Sequence, residues 1–170
     1  MMKEQIKKTL YRVAEDVLEK LAFIFSFPED ERENIDYASA VTAKVSFTGP
    51  FTGTLVMAVS SRALPELAGN MLGLEDDEEP TLEQRYDAVK ELINVICGNL
   101  LPAVAGKETL FNVDPPKIIK DLENDMKAFS SENEEGPNPL AAARLDIDEG
   151  QCDLLLFVEG DIPTDAIHSE

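Results

Sequence analysis

Apolar residues recur at steps of three and four through Ile6, Leu10, Val13, Val17, Leu21 and Ile24, a spacing that predicts one long amphipathic helix over residues 3 to about 25. Pro28 and the acidic residues after it end that helix. The period then changes to two: Val41, Ala43, Val45 and Phe47 alternate with Thr42, Lys44, Ser46 and Thr48, which predicts a half-buried strand. GPFTG at 49–53 is a turn and TLVMAV at 54–59 a returning strand, so the two form a hairpin.

The helical period returns in Leu64, Leu67, Met71 and Leu72, a short helix that Ser60 or Ser61 could cap and Gly73 stops. A solvated acidic loop, LEDDEEP at 74–80, leads to Thr81 and Gln84, the two positions of a capping box. The helix that follows, over 82–105, carries two opposed stripes. Tyr86, Val89, Ile93, Ile96 and Leu100 form the apolar one. At about 100° per residue, Asp87, Glu91, Asn94 and Gly98 fall within roughly 60° of one another on the other side. A carboxylate pair, a carboxamide and a gap thus point outward together on rigid backbone. Pro102 should kink or finish this helix, because its ring collides with the carbonyl of Gly98.

Beyond Gly106, TLFNV at 109–113 predicts a strand punctuated by Pro115 and Pro116. Residues 117–139 are polar, rich in Glu, Asn, Ser and Pro, and predict no regular element. AARLDIDEGQCDLLLFVEG then gives two strands around Glu149 and Gly150, and the apolar LLLFV run at 154–158 suits a strand needing protection at a sheet edge. Hairpins and helices in this order predict an α+β fold: a two-layer sandwich with helices packed on one face of a largely antiparallel β-sheet. The 170 residues make one domain over 1–160 with a tail at 161–170.

Charge narrows the partners. With 34 acidic against 15 basic residues and a net charge of −19, the chain is repelled by phosphate backbones and anionic lipid, so neither nucleic acid nor membrane is expected. Charged residues scattered through the first 25 positions exclude a signal peptide or membrane span there. Two cysteines, Cys97 and Cys152, lack metal or redox spacing and fit a reducing cytoplasm.

Most catalytic devices are also excluded. The single histidine, His168, lies in the tail, so no Ser-His-Asp or Cys-His arrangement can be assembled. The carboxylates of DIDEG at 146–150 and EDDEE at 75–79 do not follow EF-hand spacing, and no glycine-rich phosphate loop follows a strand. No metal site or cofactor of the chain's own is expected.

Asp87-x3-Glu91-x2-Asn94 on a helix, reaching Pro116 after 21 further residues, resembles the signature of the CheC/CheX family of chemotaxis phosphatases. The order of elements is similar too, and the resemblance covers about residue 5 to about 160. CheC proteins carry two copies of the signature and CheX proteins one. Here Glu66 with Asn70 is one position out and lacks the leading acid or serine, so the chain is similar to the CheX type. The resemblance implies a phosphatase acting on the phospho-aspartate of a CheY-like response regulator. Asn94 would position the attacking water, Glu91 would pair with the regulator's lysine, Asp87 would extend that contact, and Gly98 would let the partner approach. Mg2+ would come from the regulator. It also implies a homodimer. The alternative is a non-catalytic module of the same fold that binds a receiver domain or flagellar-switch component, or serves only dimerisation.

Overall fold

The computed structural model describes residues 2–29, 35–120, 139–148, 150–159 and 162. Its elements run α1 (Met2–Ala22), β1 (Ser26–Pro28), β2 (Val41–Thr48), β3 (Thr52–Val59), α2 (Leu64–Leu72), α3 (Leu82–Ala105), β4 (Asn112–Val113), β5 (Lys117–Ile118), β6 (Ala141–Ile147) and β7 (Gly150–Glu159). The strands form one antiparallel sheet in the order β1-β6-β7-β3-β2-β4, with β5 also paired to β2. All three helices lie on one face, so the α+β sandwich expected from the pattern is the fold observed.

The helix face of the sheet holds the core. Ala43, Val45 and Phe47 of β2 and Ala143, Leu145 and Ile147 of β6 meet Leu10, Val17 and Leu18 of α1 and Leu92, Ile93, Ile96 and Leu100 of α3. On the opposite face Val56, Phe157 and Ile119 form a smaller cluster, with Leu155 packed against it. β3 is therefore buried on both sides, which is why TLVMAV reads as a near-continuous apolar run and not as an alternation. Phe47, Phe51 and Phe111 close one end of the sheet in edge-to-face pairs 5.1 to 5.9 Å apart.

Several expectations are corrected. The first helix stops at Ala22, where Phe23 takes a left-handed φ of 55° and turns the chain into β1, an edge strand with no counterpart in the sequence reading. The LLLFV run is not at an edge. β7 lies between β6 and β3, and its apolar character reflects burial on two faces. Only Asn112 and Val113 of TLFNV join the sheet, and β5 arises at 117–118 where no element was expected. Ser60 does not cap α2. Its Oγ accepts from the Gln151 amide at 2.9 Å, while the residue before α2 is Ala63 without a side-chain cap. Pro102 neither ends nor breaks α3, because buried Leu101, Val104 and Ala105 hold the last turn against the fold as far as Gly106. Residues 121–138 and nearly all of the tail, with Glu149 of the turn, lie outside the described residues.

Candidate functional site

The phase of α3 is set at its first turn. The Gln84 amide donates to Thr81 Oγ1 at 3.1 Å and the Thr81 amide donates to Gln84 Oε1 at 2.9 Å, completing the capping box. From there Val89, Leu92, Ile93 and Ile96, all 0 % exposed, lock the apolar stripe into the core. With one side of the helix fixed, the other is fixed as well. Asp87, Glu91, Asn94 and Gly98 are all exposed, one above another along the solvent side.

The four positions differ in what already engages them. Asp87 Oδ1 lies 3.4 Å from Lys90 Nζ, an exposed i,i+3 ion pair that contributes a few tenths of a kcal/mol at most and is readily exchanged for another cation. Lys90 was not singled out from the sequence, although the three-residue spacing carried the signal. Among the described residues Glu91 and Asn94 make no side-chain hydrogen bond or ion pair, so both present open groups to an incoming partner. At Gly98 a β-carbon would meet no heavy atom within 4 Å, so nothing in the packing of this chain requires glycine there.

The neighbouring polar groups are otherwise committed. Asn99 Nδ2 donates to the Val95 carbonyl at 2.9 Å and so closes on its own helix. Asn70, the nearest candidate for a second copy of the motif, donates from Nδ2 to the Ala22 carbonyl at 2.8 Å and holds the end of α1. Cys97, next to Gly98 in sequence, points inward. Burial pushes its thiol up to about 12, so it is no nucleophile at neutral pH. Among the described residues no group of three or more His, Cys, Asp or Glu could hold a metal ion. α3 is long and apolar enough to cross a membrane by length and composition alone, but 56 % of its most apolar stretch is buried inside the fold.

The helix-on-sheet sandwich is a fold shared with solved chemotaxis CheX proteins. The fold matches CheX from Desulfovibrio desulfuricans at a TM-score of 0.64 and 20 % identity, covering 91 % of this chain and 99 % of that one. CheX from Vibrio vulnificus matches at 0.67 and 15 %, covering 91 % and 96 %. A CheX-CheY-BeF3-Mg2+ complex from Borrelia burgdorferi matches at 0.62 and 19 %, covering 90 % and 97 %. No curated protein matches the sequence. The family model described as chemotaxis phosphatase CheX matches residues 41–134, more than half of the chain and all of α3. The chain belongs to the CheX family.

Proposed function

We propose that the protein accelerates hydrolysis of the phospho-aspartate of a CheY-like response regulator, with Asn94 as the catalytic residue and Glu91 as its anchor. The observation that carries this reading is the state of the α3 stripe. Glu91 and Asn94 are exposed on rigid backbone, one turn apart and unengaged among the described residues, whereas Asn70 and Asn99 are tied up in structural bonds. The CheX of Borrelia burgdorferi that shares this fold is seen with CheY in a complex that carries BeF3 and Mg2+.

The chemistry asks little of the chain. An acyl phosphate is already a reactive bond, so what speeds its hydrolysis is a water held in line with phosphorus. A carboxamide suits that task because it can accept from the water and donate to a phosphoryl oxygen at once. Glu91 places a carboxylate one helical turn away, where an ion pair to a lysine beside the regulator's aspartate would fix the helix across the site. Asp87 extends that contact by exchanging Lys90 for the partner's cation. The metal of the reaction, Mg2+, belongs to the regulator and neutralises phosphoryl oxygens there.

Pairing of two copies, as in the family resemblance, cannot use β7 as an edge, since that strand is interior. Among the described residues the sheet edges are β1 and the β4–β5 side, and a homodimer extending the sheet falls to the latter, because Pro28 interrupts the outward N–H groups of β1. A cytoplasmic site of action follows from the proposed substrate.

The test loads receiver domains with a small phosphodonor and follows phosphate loss with the protein, with Asn94→Ala and with nothing added. We expect faster loss with the protein and none of that acceleration with Asn94→Ala, while the variant still binds. Equal acceleration by both would remove Asn94 from the chemistry. No acceleration from any receiver, with binding retained, would make the stripe a docking surface only.

A further inference from the structure

Strand β1 and the corner before it invert the usual pattern. In Phe23-Ile24-Phe25-Ser26-Phe27, hydrophobicity alone would turn the three phenylalanines inward. Instead Ile24 is 3 % exposed and Ser26 half-buried, while Phe23, Phe25 and Phe27 are 72 %, 67 % and 66 % exposed. Phe27 stands opposite Asp146, whose neighbours Leu145 and Ile147 face the helices, so Phe27, and Phe25 by alternation, lie on the side of the sheet away from α3, while Phe23 sits at the corner where α1 ends. Phe23 adds a second anomaly. Its φ of 55° is a conformation that glycine adopts freely and that strains a residue with a β-carbon. Neither backbone nor solvent favours phenylalanine here, and such a combination marks a residue kept for what it touches.

The occupant is constrained by what surrounds the rings. Two-thirds of three rings amounts to roughly 300–500 Å² of aromatic surface, the apolar centre of an interface but not the whole of one. The exposed rim is acidic: Glu29 and Asp148 flank the strand and Glu19 lies at the end of α1, while of the nearby cations Lys20 is paired to Asp16 at 3.0 Å and Arg144, across from Glu29, is half-buried and already engaged. A second copy docked on this patch would set the same local acids against one another. Strand addition is also blunted. The Glu29 amide bonds the Arg144 carbonyl, so Ser26 and Pro28 are the β1 residues whose backbone faces outward, and Pro28 has no N–H to give. A partner must therefore dock through side chains. Phe25 and Phe27 are about 7 Å apart along the strand, within about 1 Å of the roughly 6 Å rise from i to i+4 on a helix, so flexible apolar side chains at that spacing can reach both rings.

We propose that Phe23, Phe25 and Phe27 form a docking site, separate from α3, for a basic amphipathic helix of another protein. The helix lays an apolar stripe across the rings and sets Lys or Arg against Glu19, Glu29 and Asp148.

The test titrates the full chain into a labelled helical peptide of leucine and lysine, about 18 residues long, with leucines at i, i+3, i+4 and i+7 spacing, and reads fluorescence anisotropy. A permuted peptide of the same composition but without an apolar stripe controls for attraction to the acidic surface. Binding of the striped peptide should weaken about tenfold or more in Phe25→Ser/Phe27→Ser, should be weaker by a similar factor for the permuted peptide, and should fall with added salt. Phe23→Gly guards against misfolding, because it relieves backbone strain and should weaken the peptide while the chain stays folded by circular dichroism. Equal affinity in the serine and glycine variants, or no preference between peptides, overturns the proposal. So does a dimer in sedimentation that Phe25→Ser/Phe27→Ser splits, which would make the occupant a second copy. Either result leaves the reading of Asn94 untouched.

Discussion

Asn70 and Ala22 are 48 residues apart in sequence, and the 2.8 Å bond from Asn70 Nδ2 to the Ala22 carbonyl pins α2 to the end of α1. An asparagine on α2 is thus spent on structure while Asn94 on α3, of the same chemistry, is left open to solvent. The contrast sets the first expectation. Asn70→Ala leaves the helix-end carbonyl of the buried Ala22 without its donor and should destabilise the fold by about 1–3 kcal/mol, a drop of at least roughly 2–4 °C in melting temperature. The phosphate release proposed for the parent chain should be unchanged in this variant. A loss of activity without a loss of stability would place Asn70 in a second functional site.

Gly98 offers a separation of folding from docking. Glycine inside a helix costs roughly 0.5–1 kcal/mol relative to alanine, and a β-carbon at this exposed position meets nothing. Gly98→Ala should therefore melt higher than the parent by about 1–4 °C. Gly98→Leu should fold as well, yet should lose most of its acceleration of phosphate release, because the side chain stands on the surface proposed to meet the regulator. Full activity in Gly98→Leu would show that the partner does not approach α3 at that turn.

At the corner after α1 the expectation concerns the backbone. Phe23 holds a left-handed φ of 55° with its ring 72 % exposed, so it has little packing to lose and strain to relieve. Phe23→Gly should stabilise the fold by about 1 kcal/mol in urea unfolding, after allowance for the greater freedom of glycine in the unfolded chain. A destabilised variant would mean that the ring contributes to the fold despite its exposure.

Much of the architecture was legible because it rests on local rules. The capping box at Thr81 and Gln84, the left-handed Gly73 after α2 and the two hairpins each follow from residues close in sequence. The exposed Asp87–Gly98 stripe followed from the same periodicity that fixed the buried one. What failed depends on distant partners. Ser60 is drawn from a capping role by the Gln151 amide, 91 residues away, and β1 exists because β6 is there to pair with it. The LLLFV run was read as an edge because apolarity alone cannot distinguish a strand buried on both faces from one awaiting a partner.

Cys97 links the core beneath the candidate site to pH. The residue is 0 % exposed and burial pushes its thiol up to about 12, against 9.0 for the unperturbed group. Folding therefore favours the protonated thiol. Below pH 9 both folded and unfolded chains are protonated and the full stability is present. As pH rises from about 9 towards 12, the unfolded chain gives up this proton and the folded chain keeps it, so stability falls by up to about 1.4 kcal/mol per pH unit. Tyrosine and lysine titrate in the same range but are common to any cysteine variant. We therefore expect the stability of the parent chain, measured by urea unfolding from pH 8 to 11, to decline more steeply than that of Cys97→Ala, although the variant starts lower because it leaves a small void. A thiol reagent at pH 8 should likewise leave Cys97 unmodified until urea unfolds the chain. Parallel pH profiles for the two proteins, or rapid modification of Cys97 in the native state, would show that α3 opens to solvent at the turn that carries Asn94 and Gly98, and the rigidity required of the stripe would be lost with it.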